Sequence, residues 1–181
     1  DDNKDWRSVA AGGSHTCAIL DNLSVQCWGL NSAGQVGDGT TTTPRLTPVY
    51  VNLSSGSMAA VSERDIDTDG TLNIFDTHME RTSPIAAHYF HTCAILDDAS
   101  LVCWGDNAYG QLGDGTTTDS TSPVSVDVGS GRFAVAVSGG RYHTCAILDD
   151  ASLKCWGRNN HGRLGDGTTT DSSSPVSVDL G

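Results

Sequence analysis

The sequence contains no run of about twenty apolar residues, so it lacks a segment that could cross a membrane as a helix. It opens on Asp1-Asp2-Asn3-Lys4-Asp5 without the apolar stretch of a signal peptide, as expected of a mature or trimmed product. Basic residues are few, because 10 Lys and Arg stand against 22 Asp and Glu, giving a net charge of −12. Such a surface repels phosphate backbones, so we do not expect nucleic acid as a partner, and without a long apolar run we do not expect membrane insertion.

Motifs that carry chemistry are also scarce. No Cys-x-x-Cys pair with zinc-site spacing occurs, and the glycine-rich turns lack the Lys-Ser/Thr ending of a phosphate-binding loop. The sequence places no nucleophile beside His78, His88 or His161, and we expect these three histidines at the surface. Without a cluster of acid, base and nucleophile, we predict that the protein is not an enzyme.

What the sequence does contain is a block of residues that occurs three times. His-Thr-Cys-Ala-Ile-Leu is followed by Cys-Trp-Gly, with ten residues from the first cysteine to the second, and then by Gly-Asp-Gly-Thr-Thr-Thr. A period near fifty residues indicates a repeat architecture. The distance from Cys93 to Cys145 is 52 residues, but that from Cys17 to Cys93 is 76, so the middle unit carries 24 extra residues.

Each unit has the pattern of four short strands. In the third unit these are apolar or alternating stretches separated by Gly, Asp, Asn and Ser, at 133–137, 145–148, 153–156 and 175–178. Asp149-Asp150-Ala151-Ser152 is predicted to be the hairpin turn between the second and third strands. Four strands in about fifty residues are typical of a propeller blade.

The fold class is therefore all-β, with three propeller-type blades in an incomplete ring or open array and one small insertion. The predicted boundaries are 5–62 for the first repeat with the first strand of the second, 63–87 for the insertion, 88–131 for the rest of the second repeat, and 132–181 for the third.

These motifs resemble those of a known family. Val-Ala-Ala-Gly-Gly-Ser-His-Thr-Cys-Ala-Ile-Leu-Asp, Cys-Trp-Gly-x-Asn, Gly-Gln-x-Gly-Asp-Gly and Pro-Val are similar to the regulator of chromosome condensation repeat, in the cysteine-bearing form of secreted bacterial proteins. The resemblance covers nearly all of the chain except the insertion. It implies blades of a seven-bladed ring, of which this sequence holds three.

The six cysteines form three pairs with identical spacing, namely Cys17 with Cys27, Cys93 with Cys103, and Cys145 with Cys155. In a hairpin whose turn lies midway, the two members of a pair oppose each other directly, at a separation that a disulfide can bridge. Six buried thiols in a reducing cytosol are the alternative. Because persistent disulfides belong to oxidising compartments, we predict an extracellular protein, either secreted or on the cell surface.

The insertion carries the pattern of a calcium-binding loop. Carboxylates occupy positions one, three and five, glycine occupies six, Asn occupies nine and Asp occupies twelve, and the backbone carbonyl at seven adds an oxygen. This arrangement looks most like the loop of a dockerin, and a solvated acidic turn is the alternative. The predicted ligands of Ca²⁺ are Asp65, Asp67, Asp69, Thr71, Asn73 and Asp76.

Residues that recur in every unit are expected to serve the repeat. We expect His15, His91 and His143 to form hydrogen bonds within their blades, and Trp28, Trp104 and Trp156 to lie in the core between blades. Asn22 and Asn52 each begin an N-glycosylation sequon.

The function predicted from the sequence is structural or adhesive. Three blades leave two open faces, and repetition makes these faces complementary, so copies of the chain are expected to associate head to tail as a filament or ring. One alternative is a secreted protein-binding module, such as an inhibitor or adhesin, with another extracellular protein as its partner. A second alternative is a fragment of a longer closed propeller.

Overall fold

A computed structural model describes residues 6–20, 22–53 and 84–178. These residues form twelve β-strands in three four-stranded antiparallel sheets. The strands are β1 (Trp6–Ala11), β2 (His15–Leu20), β3 (Val25–Gly29), β4 (Arg45–Tyr50), β5 (Ile85–Ala87), β6 (His91–Ile95), β7 (Leu101–Gly105), β8 (Ser120–Val126), β9 (Ala134–Gly139), β10 (His143–Leu148), β11 (Leu153–Gly157) and β12 (Ser172–Ser177). None of these residues forms a helix long and apolar enough to span a bilayer.

Each sheet is a meander of four strands that follow one another in the sequence, so each repeat makes one blade. The first strands β1 and β5 contact each other, as do β5 and β9, whereas the fourth strands lie at the opposite edges of their sheets. The all-β, propeller-blade fold predicted from the sequence is confirmed. We number the blades one to three along the chain.

Hairpin register brings the paired cysteines together. Cys17 lies opposite Cys27, and the corresponding pairs in the other two blades have the same register. All three pairs are disulfide-bonded, with Cα atoms 4.0 to 4.1 Å apart, so the predicted pairing is confirmed. In blade three the predicted hairpin turn is present, because the Ser152 amide and hydroxyl both donate to the Asp150 carboxylate.

The loop after the third strand of each blade is organised by a buried asparagine. In blade two the Asn107 side-chain oxygen accepts a hydrogen bond from the Leu112 amide. Its Nδ2 group donates to the Asp114 carboxylate and to the backbone carbonyls of Thr116 and Thr118. Asn31 and Asn159 occupy the same position in the other blades and are likewise fully buried. The Gly-Asp-Gly-Thr motif is therefore a structural loop closed around an amide side chain.

The hydrophobic core lies between neighbouring blades. One cluster joins residues of blades one and two, among them Ile19, Ile85 and Trp104, and a second joins residues of blades two and three. The middle blade is covered on both faces, so every residue of β6 and β7 is buried. In β10 the burial alternates, and Ile147 is 45% exposed where the equivalent Ile19 and Ile95 are 0% and 4% exposed.

The first strand of blade two lies later in the chain than the sequence prediction placed it. The strand that pairs with β6 is Ile85–Ala87, which falls inside the range 63–87 assigned to the insertion. The reason is geometric, because a three-residue turn separates the first and second strands in all three blades, so the first strand must end at Ala87. The predicted calcium ligands, Asp65 to Asp76, and His78 lie outside the described residues.

Candidate functional site

The contact between successive blades is a repeated set of hydrogen bonds. Thr92 of blade two donates its hydroxyl proton to the Gln35 carbonyl of blade one, at 3.1 Å, and the Trp104 indole donates to the same carbonyl at 3.0 Å. His15 Nε2 lies 2.6 Å from the Thr92 hydroxyl. Because that hydroxyl has given its proton to the carbonyl, Nε2 of His15 must be the protonated ring nitrogen and the donor.

Blades two and three repeat this arrangement. His91 Nε2 lies 2.8 Å from the Thr144 hydroxyl, which donates to the Gln111 carbonyl at 2.8 Å, and the Trp156 indole donates to that carbonyl at 2.9 Å. The histidines thus bond to the following blade, and the expectation that they bond within their own blade is wrong for His15 and His91. The sequence does carry a signal for this contact, because His and Thr are neighbours in every repeat. In the middle blade, His91 bonds to blade three and Thr92 bonds to blade one.

In the two interfaces between blades, the tryptophans lie in the core, as predicted from the sequence. Trp104 and Trp156 are fully buried between blades, whereas Trp28 in blade one is only half-buried. The glycine loops make this close packing feasible, because a Cβ added at Gly37 would lie 2.6 Å from the Trp104 indole nitrogen. At Gly113 the same clash would occur with Trp156.

Buried histidines line the interior beside these interfaces. His88 is buried, which corrects the prediction that it lies at the surface, and its ring stacks on that of His91 at 4.3 Å between centroids. His161 is exposed, as predicted. Burial lowers the pKa of His15 and of His88 to about 4, and it lowers the pKa of His91 and His143 below the usual value. These rings are therefore neutral at pH 7 and act as structural groups.

The stacked pair does not make a metal site. One ring nitrogen of each histidine and the Cys93 sulfur lie within 4.8 Å of one another, but that sulfur is bonded to Cys103. The two rings are inclined by only 16°, so their nitrogen lone pairs point in parallel and cannot converge on one ion. We assign the pair to the packing of the interior.

A different kind of cluster lies at the turns between first and second strands. Tyr89 and Phe90 follow β5, Arg141 and Tyr142 follow β9, and the loops after β7 and β11 add Tyr109 and Arg158. We call these six residues the Arg–aromatic patch. Tyr89 is 41% exposed and Arg141 is exposed, while the other four are half-buried. The patch is therefore a surface that spans blades two and three.

Arginine guanidinium groups stack on the rings of the patch. The Arg141 guanidinium carbon lies 4.6 Å from the Tyr89 ring centre and 5.0 Å from that of Tyr142. That of Arg158 lies 4.6 Å from the Tyr109 ring centre and 5.6 Å from that of Tyr142. Cation–π contacts of this kind contribute about 0.5–1 kcal/mol each at exposed sites, so the arginines are held against the rings.

The patch residues are not shared by all three blades. The positions of Tyr89 and Phe90 are held by Gly13 and Ser14 in blade one, and the position of Tyr109 is held by Ala33. Small residues at these positions are compatible with the blade, so the large rings are not needed to build it. These residues form no motif that the three repeats share. The signal in the sequence is instead that blades two and three differ from blade one at these positions.

Comparison with known proteins agrees with this architecture. Two models of the regulator of chromosome condensation (RCC1) repeat match the chain, one at residues 98–147 and the other at 6–35 and 134–163, and together they cover more than half of it. The chain belongs to the RCC1 repeat family. The resemblance seen in the sequence is thereby confirmed at the level of the family.

The relatives that this RCC1-type chain matches are longer than it is. It is 30% identical over 200 residues to the ultraviolet-B receptor UVR8 of Arabidopsis thaliana, across 95% of this chain and 46% of the receptor. It is 27% identical over 203 residues to the human E3 ubiquitin-protein ligase HERC2, across 95% of this chain and 4% of the ligase. The chain therefore spans less than half the length of these relatives.

Solved structures show the same fold. The yeast RCC1 protein Prp20, in its crystal structure bound to Kap60, superposes with a TM-score of 0.75 at 17% identity, over 96% of this chain and 37% of that one. Prp20 was also crystallised in work describing its binding to Gsp1p and histones, with the same score. At this identity the likeness establishes the propeller fold and not a shared partner.

The buried histidines predict that acid destabilises the fold. Because the pKa of His15 and His88 is about 4 in the folded chain and 6.5 when unfolded, the unfolded chain binds more protons between these values. The free energy of unfolding should therefore fall as the pH drops from about 6.5 to about 4, by at most about 3 kcal/mol for each histidine.

Urea unfolding across this pH range measures the effect. His15→Gln should flatten the pH dependence, whereas His161→Gln, at an exposed position, should leave it unchanged. An unfolding free energy that stays constant from pH 7 to pH 4.5 would contradict the assignment of neutral buried rings.

Proposed function

We propose that this chain is a non-enzymatic, protein-binding part of an extracellular β-propeller, and that it binds its partner through the Arg–aromatic patch. The observation that carries this proposal is that the six patch residues depart from the repeat at positions where blade one has small residues or an aliphatic one. A rigid repeat frame that presents rings and arginines absent from blade one is suited to recognition, because both residue types are enriched at binding hot spots.

The extracellular assignment is supported by the disulfides. All six cysteines are paired, one pair in each blade, and persistent disulfides are typical of oxidising compartments. Asn22 and Asn52 are both exposed, so both sequons are accessible to a glycosylating enzyme. An adhesive role would be one form of such extracellular protein binding.

A variant built from the chain's own repeat tests the patch. Tyr89→Gly, Phe90→Ser and Tyr109→Ala together give blade two the residues that blade one carries, so the fold should be kept. We expect this variant to lose at least tenfold in affinity for protein partners identified by cross-linking to the wild-type chain.

The matched control is Val9→Ala, which removes an exposed apolar side chain from the first strand of blade one, outside the patch. Equal binding by the wild-type chain, the control and the triple variant would show that the patch is not the interaction surface.

Self-association through the terminal blades is a second candidate function, favoured by the exposure of the end faces. Ile147 is 45% exposed, and a Cβ added at Gly167 would meet no described atom within 4 Å, whereas Gly39 and Gly115 have Ser122 and Ser174 of the next blade nearby. The covering blade would come from a second copy or from further blades of a longer chain. A head-to-tail contact between copies can close into a ring or continue as a filament.

Substitutions of two threonines at equivalent repeat positions distinguish an effect on folding from an effect on assembly. Thr144→Val removes the two hydrogen bonds that this hydroxyl makes with His91 and with the Gln111 carbonyl, and it should lower the free energy of unfolding by about 1–3 kcal/mol. Thr16→Val, in the half-buried position on the open side of blade one, should leave folding nearly unchanged and weaken head-to-tail association. Urea unfolding and sedimentation equilibrium provide the two readouts, and a wild-type chain that stays monomeric at all concentrations would exclude assembly.

Calcium binding remains a proposal from the sequence. Six oxygen ligands at the spacing of Asp65, Asp67, Asp69, Thr71, Asn73 and Asp76 suit a hard divalent ion. Adding Ca²⁺ to chelator-treated protein should raise the thermal midpoint of unfolding, and Asp65→Ala should abolish that rise. Asp127→Ala, which changes a carboxylate outside the loop, is the control, and a midpoint that does not respond to chelation would mean that the loop is only an acidic turn.

A further inference from the structure

The two arginines of the patch differ in their surroundings from Arg45, Arg132 and Arg163. Arg45 and Arg132 form ion pairs with carboxylates, and Arg163 donates to the Asn160 side chain. The guanidinium groups of Arg141 and Arg158 stack on aromatic rings, and neither forms an ion pair with a carboxylate of residues 6–20, 22–53 and 84–178. Among the described residues, these two guanidinium groups thus place two positive charges side by side without a carboxylate partner, in a chain with 22 acidic residues.

Stacking prepares these arginines to bind an anion. A guanidinium held by its face against a ring keeps the N–H groups at its edge available, and those groups match a carboxylate through two parallel hydrogen bonds. The ring contacts also restrain the side chain before binding, so less conformational entropy is lost when the anion arrives. Beside the arginines, the exposed ring of Tyr89 offers apolar area.

We propose that the patch binds a short acidic segment of a partner protein, in which carboxylate side chains alternate with an apolar one. This inference rests on the proposed function and specifies the chemistry of the partner. Both guanidinium carbons lie within 5.6 Å of the Tyr142 ring centre, so they are at most about 11 Å apart. In an extended peptide, carboxylates at positions i and i+2 lie on the same face about 7 Å apart, which fits that span.

The net charge of the chain limits the size of the anion. A long polyanion would extend beyond the patch and meet the surplus of acidic residues elsewhere, whereas a short peptide segment meets only local charges. Screening at physiological ionic strength acts over about 8 Å, so carboxylates farther than this from Arg141 and Arg158 contribute little to the charge that a bound segment meets. Charge complementarity therefore favours an acidic peptide over a nucleic acid.

Labelled peptides test the proposal directly. The probes are a fluorescein-labelled peptide with a Glu-Leu-Glu core between Gly-Ser flanks, and its counterpart with Gln-Leu-Gln, measured by fluorescence anisotropy at physiological salt. We expect the Glu peptide to bind at least tenfold more tightly than the Gln peptide. Arg141→Gln with Arg158→Gln should abolish that preference, while Arg132→Gln with Arg163→Gln, an equal loss of charge elsewhere, should keep it.

The possible results separate this inference from the proposed function. If both peptides bind equally, and the triple variant Tyr89→Gly, Phe90→Ser and Tyr109→Ala binds both with lower affinity, the patch binds protein but has no preference for acidic segments. If neither peptide binds at about 1 mM, the acidic-segment proposal is overturned, while the patch as a docking site is still decided by the triple patch variant and the cross-linked partners. If the double arginine variant keeps the preference, or if it instead dissociates a dimer seen by sedimentation, the acidic-segment proposal is wrong.

Discussion

One backbone carbonyl in each loop carries the contact between blades. The Gln35 and Gln111 carbonyls each accept from an indole and from a hydroxyl of the following blade, so both lone pairs are used. A buried carbonyl without these donors would cost about 1–3 kcal/mol, which explains why the loop, the Thr and the Trp recur together. Each blade thus completes the one before it, and no blade buries its own core alone.

The glutamine side chain has a separate task within its loop. Gln35 accepts from the Ala33 amide through its side-chain oxygen, and Gln111 accepts from the Tyr109 amide in the same way. Since the hydrogen bonds to the next blade use only the backbone carbonyl, they do not depend on which side chain occupies this position. Blade three has Arg163 at the equivalent place and still forms the Asn159-centred loop.

The sequence predicted the features that depend on local pattern. The identical spacing of the cysteines predicted that the two members of each pair lie opposite each other, because hairpin register follows from spacing. The alternation of apolar residues located most of the strands, because side chains in a strand alternate between its two faces. The sequence did not reveal that His15 reaches Thr92, since the two lie 77 residues apart and meet only when the blades stack. It also misplaced the first strand of blade two, because that three-residue strand carries too short a pattern to be recognised by periodicity.

The patch could not be predicted for a related reason. Its residues come from two turns and two loops of different blades, and they converge only through the stacking that the shared carbonyls fix. Comparing equivalent positions across the repeats would have singled out Tyr89, Phe90 and Tyr109 as departures, but not their contact with Arg141 and Arg158.

The turn between β5 and β6 links the interior to the patch. His88 points into the buried stack with His91, while Tyr89, the next residue, is exposed and carries the Arg141 guanidinium. The Gly13 amide of blade one donates to the His88 carbonyl at 3.1 Å, so the same turn is anchored to the neighbouring blade. Because β5 has only three residues, these contacts rather than a long strand hold the turn. The Arg–aromatic patch is therefore positioned by the interface between blades. A substitution that weakens this interface should also disturb the arrangement of the patch.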